Sequence, residues 1–109
     1  MTIKEAIKAG KDWNEFCDAK SLGGEYLSMA ALPGSLQLQL SVAAGEATRL
    51  LDNLSKGGDT LADEDGIVWH YKYASRYFFD GKELSEEEWK GLPYAKKCKG
   101  IMRSNETWE

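Results

Sequence analysis

The segment Gly66-Ile67-Val68-Trp69-His70-Tyr71-Lys72-Tyr73-Ala74-Ser75-Arg76-Tyr77-Phe78-Phe79 carries the densest run of β-formers in the chain. Aromatic and β-branched side chains fit a pleated, half-buried surface, so the run predicts one long strand over 66–79. It follows an acidic turn, Asp63-Glu64-Asp65-Gly66, and stops at a second, Asp80-Gly81-Lys82. Successive side chains on a strand point to opposite faces. One face then holds Ile67, Trp69, Tyr71, Tyr73, Ser75, Tyr77 and Phe79. The other holds Val68, His70, Lys72, Ala74, Arg76 and Phe78. The first face is nearly all aromatic and is expected to take the packing of the rest of the fold. The second is mixed and mildly basic and is expected to stay open. A bend or bulge is expected near Ala74-Ser75.

Upstream, Thr2 and Glu5 have the spacing of a capping box and open a helix over 2–20. Ile3, Ile7, Trp13, Phe16 and Cys17 fall near one face of it, provided the helix runs through Gly10. Gly23-Gly24 ends the segment. Residues 25–42 read as a β-hairpin. Pro33-Gly34 occupies the centre of a type II turn, and Leu36, Leu38, Leu40 and Val42 then alternate with polar residues. Tyr26 to Leu32 fits a strand or a short helix, and the strand is favoured because the turn needs a partner. Ala47, Leu50, Leu51 and Leu54 make a helical stripe over 44–56. Asp59 to Asp65 reads as a short acidic loop.

Downstream, Ser85 and Glu88 repeat the capping-box spacing and open a third helix. Pro93 breaks it or begins the next turn, Tyr94 to Lys99. Beyond Gly100 the pattern fades, and a loose tail is expected from about 103, with Trp108 an odd residue to leave in water. The element order α-β-β-α-β-α predicts an α+β fold: a small antiparallel sheet, made of the hairpin 25–42 and the strand 66–79, packed by about three helices.

A chain of 109 residues, 42% hydrophobic and 29% charged, suits one globular domain over 1–109. The net charge is −4, with −5 on residues 1–65 and +1 on 66–109. That balance disfavours an obligatory polyanionic partner. The first residues lack the apolar core of a signal peptide and no run is long enough to span a bilayer, so a cytoplasmic protein is expected. Its two cysteines, Cys17 and Cys98, are expected to be free and mostly buried.

No catalytic constellation is visible, so an enzyme is not expected. The single histidine, His70, lies mid-strand without a nucleophile at local spacing. Two cysteines and one histidine make no metal site, and no glycine-rich phosphate loop is present, so neither metal nor cofactor is expected. Asp63-Glu64-Asp65 and Glu86-Glu87-Glu88 read as solvated carboxylates.

Eight of the twelve aromatic residues lie between Trp69 and Tyr94, so one aromatic core with some overflow is expected. Exposed Tyr, Trp and Arg are enriched at interface hot spots. The expected function is therefore that of a small non-enzymatic binding protein that occupies or inhibits a partner protein. The contact residues would be Trp69, His70, Tyr71, Lys72, Tyr73, Arg76 and Tyr77. In its compact acidic build the chain resembles, in a general way, the small inhibitor and immunity-type proteins of phages and mobile elements. Two alternatives stand beside this. The aromatic strand could stack on single-stranded nucleic acid with help from the C-terminal lysines, or Trp69, Tyr71 and Tyr73 could line a small-ligand pocket. An edge position for the strand would also allow a homodimer through the sheet edge.

Overall fold

The aromatic segment forms a single twelve-residue strand, β2 (Val68–Phe79), and every other strand among the described residues pairs with it. The structure, a computed structural model, describes residues 1–22 and 33–109. In chain order its elements are α1 (Ile3–Leu22), α2 (Gly34–Ser55), β1 (Thr60–Ala62), β2, β3 (Lys82–Leu84), α3 (Glu86–Lys90), α4 (Tyr94–Lys97) and β4 (Ile101–Trp108). The fold is α+β, with a four-stranded antiparallel sheet.

β2 and β4 form a long ribbon with an uninterrupted register, from Tyr71 opposite Trp108 to Phe78 opposite Ile101. No bulge therefore interrupts this pairing at Ala74-Ser75, and the faces alternate without a slip. Asp80 and Gly81 both take positive φ, 54° and 72°, and join β2 to β3 in a two-residue turn. Two left-handed residues give a primed turn, whose twist matches that of the flanking strands.

The hairpin expected over 25–42 is corrected in its second half. Residues 34–42 are the first turns of α2, and residues 25–32 lie outside the described residues. Leu, Gln and Ala dominate 36–44, all good helix formers, and Val42 is the one β-branched residue among them. Pro33 stands at the N-cap, where its carbonyl accepts from Leu36 and Gln37 N–H at 3.0 and 3.1 Å. Proline and glycine served there as a helix start, not a hairpin turn. Leu36, Leu38 and Val42 remain exposed on α2.

The loose tail expected from about 103 is also corrected. Residues 101–108 are β4, and Trp108 is in the core. The segment has weak β-periodicity of its own; it takes strand form because β2 offers a long template of main-chain groups. The expected loop 59–65 contains β1.

Both capping boxes form. Thr2 Oγ1 accepts from Glu5 N–H at 3.1 Å while Glu5 Oε1 accepts from Thr2 N–H at 2.9 Å. The pair at Ser85 and Glu88 is reciprocal in the same way, at 3.1 and 3.2 Å. Of the acidic clusters, Asp63 departs from expectation: it is buried, not solvated. Its Oδ1 accepts from Asp65 and Ile67 N–H, and its Oδ2 accepts from Trp69 Nε1 at 2.8 Å. One carboxylate thus shapes the β1–β2 loop and anchors the first ring of β2. Cys17 is half-buried, Cys98 is exposed instead of buried, and both are free.

The main core joins Ala6 and Ile7 of α1, Ala47 and Leu51 of α2, Leu61 of β1 and Trp108 of β4. Trp69 and Tyr71, on the odd-numbered face of β2, pack against it. Farther along, α1 meets the even-numbered face, where Asp18 bonds Arg76 of β2 and Asn105 of β4. One helix touches both faces of a ribbon that has no register slip. The ribbon must therefore twist past it, as two-stranded ribbons do more strongly than broad sheets. Asn14 Nδ2 marks the crossing, donating to the carbonyl of Glu106 at 3.1 Å.

Candidate partner-binding site

The seven residues expected to form a contact surface all lie on β2, and they divide into engaged and free side chains. Trp69 is half-buried, with its indole N–H on Asp63 and the Lys11 ammonium 5.5 Å from its ring centroid. Tyr71 meets Trp108 edge-on at 5.6 Å. Burial pushes the Tyr71 phenol above its ordinary pKa, and the nearby Glu106 carboxylate adds to this. Tyr77 is stacked by Trp89 of α3, at 5.4 Å and 24° between planes.

Arg76 is also engaged. Its guanidinium bonds Asp18 at 2.5 Å, takes Glu83 with both Nε and Nη2, and lies over the Phe78 ring. The Glu83 carboxylate, ahead of Asp18, holds the Arg76 pKa above its ordinary value. Arg103 and Asn105 bond the same Asp18, so this network ties α1 to the ribbon. Arg76 is therefore part of the scaffold and not available at the surface in the way its face position suggested.

His70, Lys72 and Tyr73 are exposed, Tyr73 at 59%. The Tyr73 hydroxyl donates to Ser104 Oγ at 2.8 Å, which holds the ring down along β4. The odd face is thus covered at both ends and open in the middle, while the even face is open over Val68 to Ala74.

The main chain of β2 adds hydrogen-bonding groups to these side chains. His70 exchanges two 2.8 Å bonds with Glu109, so even-numbered residues of β2 turn their N–H and C=O groups toward β4. Odd-numbered residues turn theirs the other way: Tyr71 N–H donates to Asp59 at 2.8 Å. β1 pairs with β2 at 68–70 and β3 pairs with it at 77–79, both on that second edge. Between them, over 72–76, no described residue pairs with the edge. The N–H and C=O groups of Tyr73 and Ser75 face this opening, which is about 17 Å long at strand rise.

Two hollows flank it. One is lined by Asp52, Asp59, Tyr71, Glu106 and Trp108 among others, the other by Tyr73, Ser75, Tyr77, Glu83 and Glu86 among others. At the second, Glu83 is bonded to Arg76, and Glu86 to Lys90 at 3.1 Å. Asp52, Asp59 and Glu106 have no cation within salt-bridge distance among the described residues. Sequence reasoning did not single out these three carboxylates, which come from α2, the segment before β1, and β4. The Asp80-Gly81 dipeptide was the one available signal: it is a strong hairpin signature and implies that β2 has a neighbour at its end.

Among the described residues no helix is long and apolar enough to cross a membrane, and no group of three or more His, Cys, Asp or Glu is placed to hold a metal ion. Comparison with known proteins finds no matching family model, no matching curated protein and no matching solved structure.

Proposed function

We propose that the chain is a non-enzymatic binding protein whose partner is another protein, engaged by strand addition at the open edge of β2. The observation that carries this is the interruption of pairing at 72–76, with Tyr73 and Ser75 offering donors and acceptors to a newcomer. An exposed strand edge is a template for a further strand, with main-chain bonds supplying affinity and alternate side chains supplying selectivity. Tyr73, Lys72 and His70 are the large exposed side chains beside it. Burial of such a ring adds contact area at low entropic cost. By occupying the partner's segment, the chain would block whatever that segment otherwise does.

Ring placement favours this over nucleic-acid stacking. Trp69, Tyr71 and Tyr77 are packed or stacked by protein groups, which leaves Tyr73, tethered only by its hydroxyl, as the one exposed ring of the four.

Ser75→Pro provides the test. The Ser75 N–H faces the opening, so proline there removes no bond to β4, and proline is tolerated at strand edges. Wild-type protein should retain a partner that the proline variant does not, and the Tyr73 and Ser75 amides should gain hydrogen-exchange protection in the wild-type complex. Equal retention by the two forms, with those amides unprotected, would place the contact elsewhere and end this reading.

A further inference from the structure

We infer that the segment taken up by this edge is short, extended and basic at one end, with a lysine or arginine seated against Asp59 and Glu106; this rests on the strand-addition reading above.

Length comes first. β1 and β3 lie in the lane that an added strand would occupy, and they stop it at both ends of 72–76. About five residues fit between them, so the occupant is a loop or chain end and not the edge of another sheet. A second copy of β2 does not fit either. Its own β1 and β3 would sit on the same facing edge and collide with the first copy.

Charge comes next. At the β3 end of the opening, Glu83 faces Arg76 and Glu86 faces Lys90, so cations and carboxylates balance. At the β1 end, Asp52, Asp59 and Glu106 surround a hollow of about 330 Å³ with no paired cation among the described residues. Tyr71 and Trp108, whose rings meet edge-on at 5.6 Å, complete its lining. A long aliphatic stem ending in a charge fits such a place, because it covers rings with methylenes while its head meets the carboxylates. The opening supplies the hydrogen-bonding register, and the imbalance of charge between its two ends selects what enters and in which direction.

The experiment uses the full chain, isotope-labelled, titrated with capped pentapeptides. One peptide has two lysines followed by alternating threonine and valine; a second has the reverse order. A third replaces the lysines by glutamates, and a fourth is the better lysine peptide with alternate N-methylated residues. One lysine order should bind saturably and move the Tyr73 and Ser75 amides. Its affinity should fall about fivefold in the Asp59→Asn/Glu106→Gln variant, since two partly exposed charge contacts are lost. The glutamate peptide should bind at least that much more weakly.

Equal binding of lysine and glutamate peptides, both abolished by N-methylation, would overturn the basic specificity and keep strand addition. Undiminished binding of the N-methylated peptide would overturn strand addition itself. Silence of the Tyr73 and Ser75 amides toward every peptide would overturn both.

Discussion

Arg76 of β2 and Arg103 of β4 lie directly opposite one another in the ladder, and both reach the carboxylate of Asp18 on α1. Like charges across a ladder repel. Here the buried Asp18, which also accepts from Asn105 at 2.9 Å, turns the repulsion into a clamp between helix and ribbon.

Asp18→Asn keeps the shape and removes the charge that both arginines share. Loss of a largely buried carboxylate that pairs two cations should cost about 2–3 kcal/mol, given that Arg76 is itself partly solvated. Urea unfolding followed by circular dichroism reads the loss. Replacing Arg103 by Leu in the same background should recover part of it, because one orphaned cation is gone. An Asp18→Asn protein as stable as the parent would show that the clamp contributes nothing.

Trp108 is 8% exposed and sits edge-on to Tyr71 in the main core. Trp108→Ala should destabilise the protein by about 3–5 kcal/mol, the usual cost of removing a large core ring. The comparison is with Thr107→Ala, on the other face of β4, which should lose well under half as much. Similar small losses at both positions would mean that β4 is dispensable for the fold.

Gly100 precedes β4 under the Trp89 ring. A Cβ added there would fall 2.4 Å from Cζ3 of Trp89 and 3.0 Å from the Phe78 carbonyl. Gly100→Ala should therefore cost about 1–3 kcal/mol through overpacking and displace Trp89 from Tyr77. The effect should shrink in a Trp89→Leu background. Additive losses in the double variant would place the strain in the backbone instead of the ring.

The first turn of α1 should be acid-sensitive. The Glu5 carboxylate is held below its ordinary pKa of 4.5 mainly by the Thr2 N–H, and Glu64 mainly by the Ile3 N–H. A depressed carboxylate adds stability above its unfolded value and loses it as pH falls through the lower folded value. Amide exchange at Thr2 and Ile3 should accelerate as pH drops below about 4.5, ahead of the ribbon amides, after correction for intrinsic rates. Uniform exchange behaviour along the chain would argue that these two caps act as bystanders.

Much of the architecture is legible in the amino-acid sequence. β2, its two bounding turns, both capping boxes and the stripe of α2 around Ala47 and Leu51 follow from spacing and side-chain chemistry alone. The misreading at 35–42 has a physical root: Leu36, Leu38, Leu40 and Val42 alternate like a strand, yet Leu36, Leu40, Ala44, Ala47 and Leu51 also fall at helical spacing. Both periods fit the letters, and helix propensity decides. β4 was invisible because its state comes from the partner it pairs with, not from its own residues.

For the candidate site, residue identity was readable but availability was not. Arg76 looked free until Asp18, 58 positions away in sequence, claimed it. The opening at Tyr73 and Ser75 depends on where two three-residue strands stop, which no local pattern announces.

The same two stops bear on how the protein survives at high concentration. β2 concentrates the rings and branched side chains that favour cross-β stacking. Growth of a fibril needs each incoming chain to present a fresh, uninterrupted template to the next. A five-position gap closed at either end can be filled once and then offers nothing further to extend. The folded protein therefore keeps its most aggregation-prone segment from seeding a polymer, and point changes that unzip β1 or β3 should be the ones that make it precipitate.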